Sequence, residues 1–571
     1  MARSRPSLKR LHFILGVLSF MAPLESSAFD SNPTAAARQF ITEHEAKVRP
    51  LETAVALAWW QANTTGKDED FKAKEEAQNT LDAALADAAR FAELKKIHQA
   101  LGASRGEEAD FLPRQIEVLY LQYLEKQVDP ELLKKMTAKA NAVEKAFNVF
   151  RAKVDDKELA DSEVRKILKE SKASEQRQAV WEASKRVGAV VEADLKELVH
   201  LRNEAARRLG FKNYHEMQLH LSEQSQGGVL KLFDELHELT AEPFRAAKVE
   251  IDAKLAKDYG IAAADLRPWH YHDPFFQEPP AIYGTDLSTI YSNVDILKLC
   301  REFYAGIGLP IDDVLSRSDL YEKKGKSPHA FSTDIDREGD VRVLANIVPN
   351  EYWMNTMLHE LGHAVYSSKN IPRSVPYVLR SESHILTTEG IAMMFEPFSK
   401  SADWLATMGV KVENPRAVNE TGARARRHQL LIFAAWCQVM FRFEKEMYAN
   451  PNQDLNKLWW DLVEKYQLVK RPEGRNAPDY ASKIHVVSAP AYYHNYMLGE
   501  LFASQVHHTI ARKVLKLPPQ TALYVGRREV GDFMKQRVFV PGRTRSWNEL
   551  TKFATGEELN PKAFAADFRG N

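Results

Sequence analysis

The chain has 571 residues, too many for one ordinary core, and its composition carries no mark of disorder, collagen or a disulfide framework. Lysine plus arginine (78) equals aspartate plus glutamate (78), so no global field draws the protein to nucleic acid or to an anionic membrane. Residues 1–28 stand apart: Arg3, Arg5, Lys9 and Arg10 precede the apolar run Leu11 to Leu24, and Ser26, Ser27 and Ala28 supply small residues before Phe29. This layout predicts a cleavable signal peptide and an exported mature chain, residues 29–571, periplasmic if the source is bacterial and secreted otherwise. The apolar run contains Pro23, and neither it nor any later stretch reaches the roughly 20 residues of a membrane-spanning helix, so no stable membrane insertion is expected after signal cleavage. Cys300 and Cys437 are compatible with one disulfide or with two buried thiols.

From Pro33 to about Lys257 apolar residues recur at three- and four-residue spacing over long polar faces, which predicts consecutive amphipathic helices. Arg267 to Tyr283 changes character, with Pro268, Pro274, Pro279 and Pro280 among Trp269, His270, Tyr271, His272, Phe275 and Phe276. Aromatics at that density need burial, so this segment is expected to be an ordered irregular connection. His329 to Ile335 and Val341 to Val348, on either side of the polar turn Arg337 to Asp340, predict a β-hairpin. Asn350 can then cap a helix running through His359 to about Ser368, and a second helix is expected from Glu382 to Glu396, stopped by Pro397. The remainder reads as mainly helical.

The densest chemistry is His359-Glu360-Leu361-Gly362-His363. On a helix the i, i+4 spacing stacks both imidazoles on one face, where they can share a metal ion, and Glu360 lies close enough to contact a bound water without being a ligand. Met354, Leu358, Leu361 and Val365 give this helix an apolar stripe, and Gly362, costly in mid-helix, implies something packed close against it. Zinc in a hydrolytic site takes three protein ligands and keeps a position for water, so a third ligand must exist. Glu389, flanked by the apolar Ile391, Ala392, Met393 and Phe395, is the assigned ligand, with Glu382 and Glu396 as competitors. With one zinc ion in place, Glu360 is the expected general base.

A second cluster holds Lys483, His485, Tyr492, Tyr493, His494, Asn495 and Tyr496. With the pentad, it resembles the angiotensin-converting-enzyme-like dipeptidyl carboxypeptidases and, more distantly, their oligopeptidase relatives. Ala58 to Thr65 and Leu201 to Tyr214 are similar to further family patterns, so the likeness covers nearly the whole mature chain. The resemblance implies that His485 and Tyr496 hydrogen-bond the oxyanion, that Lys483 and Tyr493 hold the substrate's terminal carboxylate, and that His329 and Ala330 bind the peptide backbone. The interval from His485 to Tyr496 is one residue longer than in the animal enzymes, which leaves Tyr492 as an alternative to Tyr493. Asn495 replaces the arginine associated there with chloride, and Met393 replaces an acidic residue that orients the ligating histidines, so another group must orient them.

The expected fold is therefore mainly α, a two-lobed helical zinc metallopeptidase with a deep substrate channel and a small hairpin at the active site. Oligopeptides are the expected partners. An oligoendopeptidase without a C-terminal anchor and a catalytically silent peptide-binding protein are the alternatives. A zinc deaminase would need clustered cysteines that the chain lacks.

Overall fold

The Asn32 side chain accepts a hydrogen bond from the Thr34 amide and Pro33 occupies the first turn, and from this start helix α1 runs over Pro33–Thr65. The computed structural model describes residues 32–102, 111–280, 282 and 287–568, so the signal peptide expected over 1–28 lies outside the described residues. Helices follow one another towards Tyr259 as the periodicity predicts, with one correction. Strands β1 (Ala152–Val154) and β2 (Lys157–Leu159) pair antiparallel around Asp155 and Asp156, whose φ angles of 47° and 63° suit a tight hairpin turn. Three-residue strands carry too little alternation to stand out from the charged helical faces on either side. Helices α2 (Ser174–Arg208) and α3 (Gln226–Tyr259) complete this part.

The aromatic connection is ordered through burial, as expected. Pro268, Trp269, His270, Tyr271 and Phe276 are buried, and Trp181 of α2 donates to the Pro274 carbonyl at 3.0 Å. Gln467 donates to the carbonyls of Phe275 and Phe276, and the Asp273 carboxylate accepts from the amides of Phe275 and Gln277. These bonds fix Phe275 and Gln277 in place; Tyr283, the far end of the expected span, lies outside the described residues.

Strands β3 (Phe331–Asp334) and β4 (Val341–Leu344) form the predicted hairpin, with Phe331 opposite Leu344 and Asp334 opposite Val341. Trp59 of α1 packs on Phe331 with ring centroids 4.1 Å apart, and Asp319 covers the outer edge of β4, leaving β3 as the open edge. Helix α4 (Glu351–Val365) begins where Asn350 accepts from the Trp353 amide, but ends three residues before the expected Ser368. There the Ser367 hydroxyl turns back to the Ala364 carbonyl, and the Ser368 amide is taken by Asp334 of the hairpin. Helix α5 (Ile385–Phe395) starts later than predicted because His384 is its cap, its Nδ1 accepting from the Leu386 amide. Helices α6 (Pro415–Ala449) and α7 (His494–Thr509) follow.

The fold is mainly helical with little sheet: two two-stranded hairpins among the described residues. One continuous set of buried apolar side chains extends from Ala37 in α1 to Phe568. Cys300 and Cys437 are both buried and unbridged. No helix among the described residues is long and apolar enough to cross a membrane.

Two glycine contacts set the spacing of the three central helices. A Cβ on Gly362 of α4 would lie 2.7 Å from the Ala392 Cα of α5, and a Cβ on Gly390 of α5 would lie 2.7 Å from the Gly499 carbonyl oxygen of α7. Only hydrogen fits at either contact, and the backbones approach closely enough for α4, α5 and α7 to pool their polar side chains.

Candidate metal centre and substrate anchor

His359 and His363 project from one face of α4, with their Nε2 atoms 3.0 Å apart. From α5, Glu389 brings a carboxylate oxygen to 3.7 Å from His359 Nε2 and 3.8 Å from His363 Nε2. All three ligand atoms fall within 4.8 Å of one another, and no other such group of His, Cys, Asp or Glu occurs among the described residues. Ligands about 2.0–2.1 Å from a tetrahedral zinc lie at comparable separations, so the set fits that ion.

The surroundings favour positive charge at this point. Glu396 meets His359 Nδ1 at 2.6 Å, and Thr388 Oγ1 meets His363 Nδ1 at 2.8 Å, which turns both Nε2 atoms inward. Burial opposes a charge on His359, yet Glu396, with Glu360 and Glu389 behind it, overrides that and lifts its pKa to about 9. Burial pushes His363 down, to about 3, with the neighbouring His359 charge acting in the same direction. A cation shared between the two rings is what this set of carboxylates stabilises.

Glu360 is 8 % exposed and points at the hairpin, where the Ser332 amide donates to its carboxylate. Burial raises this carboxyl to about 7, against the pull of His359. Glu382, a competitor for the ligand role, is half-buried elsewhere, within charge range of Asp334 and Arg337. Glu396 is the orienting group whose identity the replacement at Met393 left open.

The second cluster divides between two places. Tyr492 donates its hydroxyl hydrogen to Tyr496, their rings are 5.3 Å apart, and both feel the charge of Glu389. Tyr493 turns the other way, towards Trp436 and Phe433 of α6 and towards Lys483, whose Nζ is 5.2 Å from its ring centroid. Lys483 is 5 % exposed in a box completed by Phe275 and Trp436, with Gln277 Oε1 accepting from its ammonium. Burial lowers its pKa to about 8. His485 stands between these places, 4.8 Å from the Tyr493 ring and 6.4 Å from that of Tyr496. Burial and then Lys483 hold it neutral, with a pKa near 4, and its buried Nδ1 has no partner. His329 is exposed and Ala330 half-buried, just ahead of β3. Asn495 and His494 share the amide of Gln224 in a buried neutral cluster, at 2.8 and 2.7 Å.

Gln277, Thr388 and Glu396 are the site side chains whose roles are absent from the sequence reading. Gln277 sits in an irregular segment with no periodicity to mark it, and Thr388 is a neutral residue beside the more conspicuous Glu389.

Two imidazoles one turn apart on one helix, a glutamate from the next and a carboxylate beside the first histidine define a gluzincin-type metallopeptidase. Comparison with known sequences relates the chain to two peptidase families at once. Residues 31–246 match the family described as Angiotensin-converting enzyme, and residues 315–570 match Peptidase family M3. The chain is 23 % identical over 255 residues to the Angiotensin-converting enzyme-related protein of Drosophila melanogaster, covering 42 % of this chain and 40 % of that one. It is 23 % identical over 269 residues to Carboxypeptidase 1 of Bacillus subtilis, covering 43 % and 52 %. To the Angiotensin-converting enzyme of Theromyzon tessulatum it is 20 % identical over 290 residues, covering 49 % and 47 %. The matched parts thus span about half the length of these relatives.

Proposed function

We propose that the protein is an exported zinc-dependent peptidase that releases C-terminal dipeptides from unfolded oligopeptides. The observation that carries this reading is the pairing of the His359, His363 and Glu389 cluster with a buried lysine box at Lys483 in which no carboxylate among the described residues is ion-paired to the ammonium, joined by His485 and the tyrosines. Bound by those three ligands, zinc would supply an acidified water and a Lewis acid for the scissile carbonyl. Glu360 takes the proton from that water and passes it to the leaving amine. Tyr496, and His485 through its N–H, donate to the developing oxyanion. Lys483, with Tyr493 and Gln277 beside it, holds the terminal carboxylate and so sets where the chain is cut. The open edge of β3, entered through His329 and Ala330, offers backbone groups to an extended peptide. A two-lobed body with the hairpin lining a deep channel is the architecture this reading implies.

An oligoendopeptidase is the second reading. It is favoured by the match of Peptidase family M3 to residues 315–570, the part that holds every assigned metal and catalytic residue and, Gln277 aside, the anchor. Silent peptide capture has no use for a buried base at Glu360. The test is mass spectrometry of products from one unstructured decapeptide, as free acid and as amide, with a chelator control. Stepwise loss of dipeptides from the free acid alone is expected; internal cuts in both forms would establish the second reading instead.

A further inference from the structure

Residues 490–493 lead from the short helix Ile484–Ser488, which carries His485, to the start of α7, and their path sets where two tyrosines point. Pro490 has no amide hydrogen to bond. Ala491 has a φ of 56°, in the left-handed region that is strained for any residue with a Cβ, and α7 begins with no side-chain cap. The turn is held from outside by Glu444 of α6, whose Oε1 accepts from the Ala491 amide at 3.2 Å. Among the described residues this is the one hydrogen bond by which the backbone of 490–493 reaches another element. The carbonyls of Tyr492 and Tyr493 are taken within the first turn of α7, by the amides of Asn495 and Tyr496 at 3.0 and 3.3 Å.

Glu444 is 1 % exposed and forms no ion pair among the described residues. Arg202 of α2 acts on it only through space, its guanidinium donating instead to the Tyr448 hydroxyl at 3.1 Å. Burial raises the Glu444 carboxyl to about 8, against the Ala491 amide and Arg202, so near neutral pH it is largely protonated and accepts through its carbonyl oxygen. A leucine would fill the same space without the cost of burying a carboxyl, so the bond to Ala491 is what the acid adds at this position. Phe433, Trp436 and Glu444 share one face of α6. The first two meet the Tyr493 ring, each at 6.2 Å between centroids, and Glu444, two turns beyond Trp436, holds Ala491. One helix face thus grips both ends of the turn.

We propose that Glu444 is a positioning residue for the C-terminal anchor: by holding the Ala491 amide it keeps the turn left-handed, and so decides that Tyr493, and not Tyr492, faces Lys483. The inference rests on the peptidase reading. Released from Glu444, Ala491 relaxes to a negative φ, the backbone ahead of both tyrosines rotates, and Tyr493 leaves its place between Trp436 and Lys483. Glu444 touches no substrate and acts only through the turn.

The test compares Glu444→Leu and Glu444→Gln in the full zinc-loaded chain, with circular dichroism and zinc content confirming the fold and cleavage of a free-acid decapeptide as the readout. Glu444→Leu loses the acceptor, and kcat/KM should fall roughly 10- to 100-fold, as a small misplacement of a binding group gives. Glu444→Gln keeps an oxygen for the Ala491 amide and should stay within about threefold of the wild type. In a Lys483→Ala background Glu444→Leu should cost clearly less than it does alone, because the anchor it positions is gone, whereas a general loosening of the fold costs the same in both backgrounds. Wild-type activity in Glu444→Leu, an equal loss in Glu444→Gln, or an undiminished cost beside Lys483→Ala overturns the inference while leaving the peptidase reading intact. If Glu444→Leu does not fold, Ala491→Pro takes its place, since it removes the same N–H and forbids the left-handed φ, and the same outcomes decide. Failure of the wild type to cut the peptide overturns the peptidase reading instead. Anisotropy titrations of the fluorescein-labelled free-acid peptide then decide for Glu444: weaker binding by Glu444→Leu than by Glu444→Gln supports its role, and equal binding, or none by the wild type, overturns it.

Discussion

The surroundings of His359 and those of Lys483 solve opposite electrostatic problems. Three carboxylates, Glu360, Glu389 and Glu396, converge on His359 and favour positive charge there before any peptide arrives. Lys483 is enclosed by three aromatic rings and the Gln277 amide, and among the described residues no carboxylate forms an ion pair with it. The first place is complete once a cation is bound. The second has no directly bonded counter-charge, and burial makes its ammonium easier to deprotonate although Asp273 and Glu278 act on it through space. In the proposed function a peptide's terminal carboxylate completes it, and the fixed distance between the two places would then set where the chain is cut.

Breaking the metal side should have the largest effect. Glu360→Gln keeps the three ligands and removes the base, so zinc content should stay at one per chain while kcat falls by roughly 10²–10⁴-fold, measured by single-turnover cleavage. Lys483→Ala breaks the anchor instead. It removes one charge-assisted contact, about 1.5–3 kcal/mol, so kcat/KM on a free-acid peptide should fall roughly 10- to 150-fold while zinc content stays at one per chain.

The pH profile sharpens the same contrast. The Lys483 pKa is depressed to about 8, so the charged anchor is fully present below that pH and is lost as pH rises through it. Free-acid kcat/KM should therefore decline above about pH 8 in the wild type, and the residual activity of Lys483→Ala on the same peptide should lack this limb. Glu396→Ala leaves the ligands and frees His359 Nδ1, and zinc affinity by competition with a chromogenic chelator should fall roughly 10- to 100-fold. Smallest of all is the response to chloride. With Asn495 neutral and bonded to Gln224, replacing acetate by chloride at constant ionic strength should change kcat/KM by less than about twofold.

Much of the metal side was legible because helix geometry ties sequence spacing to space. The i, i+4 histidines, the Asn350 cap and the costly Gly362 each had one structural meaning, and Gly362 indeed faces the α5 backbone. The carboxylates were harder to sort. Glu382, Glu389 and Glu396 recur at seven-residue intervals, so a helix spanning all three would place them on one face. Starting α5 at Ile385 removes Glu382 from that face, and the turn after Phe395 brings Glu396 to the outer nitrogen of His359. The anchor side was less legible. Tyr492 and Tyr493 precede the first turn of α7, where no periodicity decides which of them faces the lysine, and Gln277 is placed by an Asp273 turn whose neighbouring carbonyls, of Phe275 and Phe276, are held by Gln467 from far along the chain. Short hairpins such as β1 and β2 were hidden for the same reason: three residues are too few for a pattern.

The most direct measurement is zinc titration into chelator-stripped protein, following cleavage of the free-acid decapeptide in the wild type and in Glu389→Ala. Cleavage should return linearly and break at one equivalent in the wild type, and should not return in Glu389→Ala at comparable zinc. Full recovery at one equivalent in Glu389→Ala, or cleavage that persists in the stripped wild type, would contradict a reaction built on His359, His363 and Glu389.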